Sequence, residues 1–331
     1  MLKHTIVATL LGAATLSAWA QSAPTADEEK AMKSLAAPKD STKWSTGTTI
    51  GFNNTFTYLS QWAAGGNNSI STTGLLSTYK NYRNGKNAWD NSLDMAYGIL
   101  LQGLDSRAIK TDDKLDVTSK YGRQASKKWF YAALLNFKTQ FAPGYTPLAN
   151  GIPDYNRKIS DLMAPGWTLF SLGMDYKPND KLTAFISPVT YRGIFVLDQD
   201  LADAGAFGVK RQFETDGITV IKGSGENLRS EMGAYARVQY TTDVIENVNL
   251  KSKIELFSNY IDNPQNVDIS WENLISMKIN KWMTTTIFTH LIYDDNTQIV
   301  KETDELTGAA TNVGPGVQFK SIIGIGLSWK L

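Results

Sequence analysis

Val317-Gln318-Phe319-Lys320-Ser321-Ile322-Ile323-Gly324-Ile325-Gly326-Leu327-Ser328-Trp329-Lys330-Leu331 closes the sequence. Reading every second residue from Phe319 gives Phe319, Ser321, Ile323, Ile325, Leu327, Trp329 and Leu331, with Lys320, Ile322, Gly324, Gly326, Ser328 and Lys330 between them. This period of two marks a strand with one greasy face and one small or charged face. With no onward hairpin, the run needs its second neighbour from elsewhere in the sheet, and the first strand is the natural partner. A sheet whose last strand joins its first is a barrel. With apolar positions outside and polar ones inside, such a barrel suits a bilayer, because closure leaves no backbone group unpaired. The expected fold class is therefore all-β, a transmembrane antiparallel up-and-down β-barrel of about twelve strands.

The other end of the chain supports a membrane destination. Lys3, the apolar run Ile6 to Leu16 and Ala18-Trp19-Ala20 form the pattern of a cleavable signal peptide, giving expected divisions at 1–20 (signal peptide), 21–43 (periplasmic lead) and 44–331 (barrel). Cleavage removes Lys3, one of 33 basic residues, and leaves 32 against 32 acidic ones. That balance excludes a nucleic-acid partner or a polybasic membrane-surface protein. No stretch of about 18 uninterrupted apolar residues follows, so a helical span is not available. Cysteine is absent, which excludes disulfides and thiol catalysis. Trp329 and Leu331 resemble the C-terminal signal of outer-membrane proteins read by the barrel-assembly machinery.

From Thr48 the sequence falls into alternating runs at 48–62, 68–83, 87–104, 114–126, 129–142, 166–177, 181–196, 228–242, 247–261, 266–280, 282–294 and 316–331. Each is long enough for a tilted crossing, which takes about 9–11 residues. Trp129, Tyr131, Ala133, Leu135 and Phe137 oppose Asn136, Lys138 and Gln140, for example, and Val248, Leu250, Ile254 and Leu256 oppose Lys251, Lys253 and Glu255. Pro188 and Gly193 weaken the run at 181–196. Short connections such as Asn84-Gly85-Lys86 and Lys127-Lys128 alternate with long ones such as Pro143 to Pro165 and Leu197 to Asn227. Outer-membrane barrels show that asymmetry, with the short turns periplasmic. Trp44, Trp62, Trp89, Trp129, Trp167, Trp271, Trp282 and Trp329 lie at or near run ends, the expected places for interfacial anchors.

Ser60-Gln61-Trp62-Ala63-Ala64-Gly65-Gly66-Asn67-Asn68, Trp89-Asp90-Asn91, Tyr97-Gly98, Lys110-Thr111-Asp112-Asp113, Lys120-Tyr121-Gly122, Thr139-Gln140-Phe141 and Ser187-Pro188 carry a family resemblance. Through them the chain resembles an uncharacterised Gram-negative outer-membrane β-barrel family, a domain of unknown function, over nearly the whole sequence from about Trp44. The resemblance implies an outer-membrane barrel and brings no activity and no catalytic residue. Gly65-Gly66 reads as a tight outer hairpin turn with Trp62 as its anchor.

Candidates for chemistry are few. After signal cleavage the single histidine is His290, with Thr286 and Phe288 on its face and no nucleophile signature beside it, so an interfacial histidine is expected and no enzyme. Asp112-Asp113, Asp198 with Asp200 and Asp203, and Asp294-Asp295 could hold Ca²⁺ but lack EF-hand spacing, so they read as solvated loop carboxylates, with no metal and no cofactor expected. The informative set faces inward: Asp90, Asp94, Asp116, Lys120, Lys138, Asp175, Arg229, Glu231, Arg237, Lys251, Lys253, Glu255, Glu272 and Lys278. A ring of about twelve strands is roughly 24 Å across at the backbone and leaves a bore on the order of 10 Å. If runs 228–242 and 247–261 form a basic wall opposite Asp90, Asp94 and Asp116, the lumen is a narrow pore with a transverse field. If the charges pair, it is a neutralised core.

The first expectation of function is a narrow channel or transport barrel for small polar solutes, with Leu197 to Asn227 as constriction or lid. The alternative is a non-catalytic scaffold subunit of an outer-membrane assembly, and a lipid-modifying enzyme is a distant third. Expected partners are outer-membrane lipid and lipopolysaccharide, the barrel-assembly machinery and an outer-membrane protein complex. The mature chain is expected to fractionate with the outer membrane and to migrate faster unheated than boiled, since closed barrels resist detergent. Recovery in the soluble periplasm would overturn the fold.

Overall fold

The computed structural model describes residues 43–57, 69–102, 107–147, 153–216, 219–280, 283–303 and 310–330. The expected signal peptide and nearly all of the lead lie outside these residues, as do Trp62, Gly65-Gly66, Trp282 and Leu331. Within them the chain starts with β1 (Trp44–Thr57), β2 (Ser69–Asn84), β3 (Asn87–Gln102), β4 (Ile109–Gln124) and β5 (Trp129–Thr139). A small hairpin follows, β6 (Gly144–Pro147) with β7 (Pro153–Ser160). Next come β8 (Gly166–Tyr176), β9 (Leu182–Phe195), a short helix α1 (Gln199–Asp203), β10 (Leu228–Ile245) and β11 (Val248–Asn259). β12 (Asp268–Lys278), β13 (Met283–Thr303) and β14 (Ala310–Lys330) complete the described elements.

All of these strands except β6 and β7 form one closed antiparallel barrel, in the order β1-β14-β13-β12-β11-β10-β9-β8-β5-β4-β3-β2. The ring closes where Thr49, Ile50, Gly51, Phe52 and Asn53 pair with Lys330, Trp329, Ser328, Leu327 and Gly326. The closing strand thus finds its second neighbour in the first strand, so no ladder of N–H and C=O groups faces lipid. β13 and β14 are longer than the sequence periods indicated, because they continue past the ring as a hairpin after an irregularity between Tyr293 and Gln298. The β6–β7 hairpin was not visible in the sequence: its strands are short and make no extended alternation.

Side-chain alternation follows the ladder. Phe52, Ile70, Leu135, Phe170, Val189, Phe319 and Ile325 are exposed large apolar residues on the outer wall, whereas Asp94, Asn136, Asp175, Glu231 and Lys251 are buried. An apolar belt of that extent needs lipid against it. Near the end carrying the tight turns, Trp44 packs on Tyr82 and Trp89 with ring centroids 4.8 and 6.2 Å apart, and Trp129 packs on Tyr176 at 4.7 Å. The Trp89 indole N–H donates to Ser119 Oγ (2.9 Å) and that of Trp271 to Ser252 Oγ (3.0 Å), so these outward rings leave no donor unpaired. The tight turns obey steric rules, with Gly85 at φ 55° between β2 and β3 and Asn247 at φ 62° between β10 and β11.

Pro188 is accommodated by a β-bulge. Pairing of β9 slips by one residue against both β8 and β10 around Ser187 and Pro188, where a missing N–H costs the ladder nothing. Buried hydroxyls hold the bulge: Ser187 Oγ lies 2.8 Å from the carbonyl oxygens of both Leu172 and Val189, and Thr190 Oγ1 lies 3.0 Å from Ser171 Oγ and 2.9 Å from Ser187 Oγ, within one hydrogen-bonded network. Gly173 and Gly233 stand on the flanking strands, where a Cβ would collide with the carbonyl oxygens of Ile186 and Ser258. Gly233→Ala is expected to destabilise the barrel by about 1–3 kcal/mol through overpacking, read as a lower temperature for conversion of the fast-migrating form to the slow one. An unchanged conversion temperature would show that the wall can relax there.

Candidate functional site

The inward charges pair across neighbouring strands. Near the tight-turn end, Arg83 meets Asp90 (2.5 Å), and Asp175 takes Lys120 (2.8 Å) and Lys177 (3.3 Å). Asp94 accepts from Ser77 (2.5 Å), while Asp116, directly opposite it in register, accepts from Asn136 (2.6 Å) and lies 3.8 Å from Lys138 and Lys114. Each of the two facing carboxylates thus takes a donor from the strand on its far side, Ser77 of β2 or Asn136 of β5, which offsets their repulsion. Higher up, Lys253 bridges Glu272 (2.9 Å) and Glu255 (3.6 Å), and Arg237 holds Glu255 at 2.6 Å. Toward the loops, Arg192 bonds Glu231 and Asp268, and Arg229 bonds Glu231 at 2.7 Å. Lys251 is buried, and Lys278, on the same parity of β12 as Glu272, Leu274 and Ser276, is exposed at the turn end. Among the described residues no basic wall stands against an acidic one. The charges interleave because a residue's nearest inward neighbours lie on adjacent strands, about 5 Å away, not across the bore.

An apolar cluster lines one arc of the lumen, on the neighbouring strands β5, β8, β9, β10 and β11. Ala132, Leu134, Phe185, Tyr235 and Phe257 form a buried apolar cluster inside the ring, with Leu169 packed against it. Arg237 lies beside it, its Nε 2.9 Å from the Tyr235 hydroxyl, which in turn donates to Glu255. On the turn side is a chamber of about 140 Å³ lined by Asn81, Asp90, Lys120, Asp175, Phe185 and Gln239 among others. On the loop side is one of about 150 Å³ lined by Lys138, Trp167, Arg192, Phe257, Glu272 and His290 among others. Arg237 borders both.

The long connection between β9 and β10 folds onto the loop-side mouth. Leu201 and Ala202 of α1 bury against Ala164, Val196 and Val209, with Ala206 and Phe207 packed on them. The Phe207 ring meets Trp167 edge-on at 6.1 Å, and Arg229 donates to the Phe207 carbonyl (3.1 Å) and to Asn296 Oδ1 (3.1 Å). Lys158 of β7 latches this segment by reaching Asp161 (2.8 Å) and Asp198 (2.6 Å), while Asp198 also caps α1 through the Leu201 N–H. Hydrogen bonds to Asp161 and Asp198 hold the Lys158 ammonium above its ordinary range, and its bond to Asp161 holds that carboxyl below. Burial pushes Asp198 up, but the Lys158 and Leu201 hydrogen bonds outweigh it and the net shift is down. Depressed carboxyls contribute stability above their unfolded range, so the latch is present at neutral pH and lost as pH falls through their lowered values.

Several sequence readings need correction. Trp167 is not an outward anchor: it lies eight residues from Asp175 on an unbroken alternation of β8, which puts both inside. That parity was legible and would have found it. His290 is buried inside the barrel, its Nε2 2.9 Å from Ser270 Oγ, not at the interface. Asp112 and Asp113 are not solvated, because β4 begins at Ile109 and Asp113 binds Lys110 (2.8 Å) and the N–H groups of Phe141 and Ala142. Asp203 accepts from the Gly223 and Gly225 N–H groups, and no metal-holding cluster occurs among the described residues. Trp44, Trp89, Trp129 and Trp271 face outward.

Three of the inward carboxylates, Asp90, Asp94 and Asp116, fall in the segment that carries the family match. Residues 52–145 match DUF3078, a protein family of unknown function. The DUF3078 segment runs from within β1 to β6, a narrower span than the resemblance from Trp44 onward, and contains Asp90, Asp94, Asp116, Lys120 and Lys138. Ser187-Pro188 falls outside it. No curated protein matches the chain. Among solved structures, the translocator domain of the autotransporter NalP from Neisseria meningitidis aligns at TM-score 0.35 and 8% identity, covering 88% of this chain and 90% of that one. The NanC porin aligns at 0.38 and 12%, over 86% and 100%. An outer-membrane channel from Pseudomonas putida F1 aligns at 0.38 and 11%, over 86% and 95%. Likenesses this distant say nothing of what the barrel does.

Because Lys253 neutralises Glu255 and Glu272, Lys251→Glu with Lys253→Glu is expected to set carboxylates against carboxylates. Removing one side of a buried pair costs about 3–5 kcal/mol, so the variant should lose heat resistance in the gel-mobility assay. Native heat resistance would mean these positions are fully wetted.

Proposed function

We propose that the chain is a Gram-negative outer-membrane barrel that passes small polar solutes through a narrow lumen held shut at mid-height by Tyr235, Arg237 and Glu255. The observation that carries the reading is the position of Arg237, which borders both chambers. A rotamer change that releases it from Glu255 joins two wet compartments without unpairing any strand. The segment Leu197 to Asn227 serves as a lid over the loop-side chamber, held through Arg229 and the Lys158 latch. Lipid and lipopolysaccharide surround the apolar belt, and the barrel-assembly machinery closes the β1–β14 seam.

The barrel acts without catalysis on this reading. Ser270 Oγ and Glu272 Oε1 both approach Nε2 of His290, at 2.9 and 3.9 Å, whereas a nucleophile relay places its hydroxyl and its carboxylate on opposite ring nitrogens. A second reading, a non-catalytic scaffold subunit of an outer-membrane assembly, draws on the buried Leu134, Phe185 and Phe257, which fill the middle of the bore.

Planar-bilayer recording of the purified protein separates the two. Arg237→Gln with Glu255→Gln removes both charges together, so no buried ion is left unpaired. The native barrel should then show rare, brief openings and the double variant sustained ones. Silence from both proteins, with the double variant still migrating as a folded barrel, would favour the scaffold.

A further inference from the structure

The tight-turn end of the barrel is charged on one side. From β1 to β5 it exposes Lys43, Lys80, Lys86, Arg123, Lys127 and Lys128. Among the described residues between Lys43 and Thr139 no carboxylate is exposed, and Asp90, which lies nearest that end, is drawn inward to Arg83. Elsewhere the sign changes. The turn between β10 and β11 exposes Asp243 and Glu246, and the segment Leu197 to Asn227 over the other mouth holds six acidic residues against three basic ones. The basic rim is therefore an arc, confined to one end of the barrel.

Lys80 and Arg123 stand on the lipid-facing wall. Lys80 shares its face of β2 with Tyr82 and lies over the Trp44 ring, its Nζ 4.8 Å from the centroid, while Trp44 packs on Tyr82 and Trp89. Arg123 shares its face of β4 with Tyr121 and pairs across from Tyr131, and both tyrosines are exposed. Outward aromatic rings at a strand end sit in the interface of a bilayer, at the level of the headgroups. A cation held there meets phosphate, whereas a soluble protein cannot approach that wall through lipid. Lys86, Lys127 and Lys128, in the adjoining turns, add positive field at the same leaflet. A zwitterionic headgroup cancels its phosphate with its own amine, but an anionic one keeps a net negative charge for the arc to attract.

We propose that the turn-end arc of β1 to β5 is a binding surface for anionic phospholipid headgroups, with Lys43 and Lys80 beside Trp44 and Arg123 beside Tyr121 as the contacts to phosphate. The assignment rests on the barrel's place in a bilayer and holds whether or not the lumen conducts. Brominated acyl chains quench a tryptophan that they touch, and the quenching lost in Trp44→Phe isolates that ring. The whole mature chain is inserted into phosphatidylcholine vesicles in which a minority lipid, either phosphatidylglycerol or phosphatidylcholine, carries the bromine. At Trp44 phosphatidylglycerol is expected to associate about fivefold more strongly, the effect of one cation near a charged headgroup. Lys43→Gln with Lys80→Gln should bring the two lipids level. Lys80→Arg keeps the charge and should keep the preference, as should Lys278→Gln on the other side of the ring. At Trp271, isolated in the same way through Trp271→Phe, no preference is expected. Unheated gel mobility verifies that each variant is folded.

Equal quenching by the two lipids at Trp44 of the native protein, a preference that survives the loss of both lysines, or the same preference at Trp271 would each overturn the proposal. The first of these outcomes would instead make the arc a surface for an acidic soluble partner.

Discussion

A strand crossing a bilayer offers one face to hydrocarbon, and that face cannot carry charge without a cost of a few kcal/mol near the midplane. In this chain most charged residues of the ring therefore turn inward, where they are about 5 Å from inward residues on the next strand. Asp90, Asp116, Lys120, Lys138, Asp175, Arg192, Glu231, Arg237, Lys253, Glu255 and Glu272 each find an opposite charge there. Asp94 instead takes a hydroxyl donor from Ser77. The interior is thus neutralised locally, strand by strand.

Local neutralisation shapes the lumen. With charges satisfied near the wall, the remaining inward positions can be apolar, and Leu134, Phe185, Tyr235 and Phe257 meet at mid-height. Two chambers lie inside the ring, and Arg237 beside this cluster borders both. The outer mouth follows the same logic at larger scale, since Arg229 bonds Glu231 of the wall, the Phe207 carbonyl of the overlying segment and Asn296 from the irregularity in β13. One guanidinium ties three elements, the wall, the overlying segment and the protruding hairpin.

The bulge in β9 serves the wall in a different way. Pro188 would break a regular ladder, but the extra residue beside Ser187 restores inward and outward alternation on both sides of it, with Phe185 and Thr190 inside and Ile186 and Val189 outside. Gly173 and Gly233 let the neighbouring backbones approach where the wall bends.

Fold class, strand number, closure and the faces of most residues were legible in the sequence, because alternation is a local property and a bilayer makes it strict. Phe319 and Ile325 outside, and Asp94 and Glu231 inside, follow from parity alone, as does the inward position of Trp167 beside Asp175. Tertiary structure decided what parity cannot express. Which charges meet across strands depends on register, so Lys253 meeting Glu272 follows from the pairing of β11 with β12, and Arg237 meeting Glu255 from that of β10 with β11. Likewise, Asp112 and Asp113 are buried because the ladder of β4 extends to Ile109, and Ser270 and His290 come together because β12 lies beside β13. The sequence sets the direction of each side chain, but only the closed ring brings residues distant in the chain within reach of one another, and the apolar cluster and the two chambers arise from those distances.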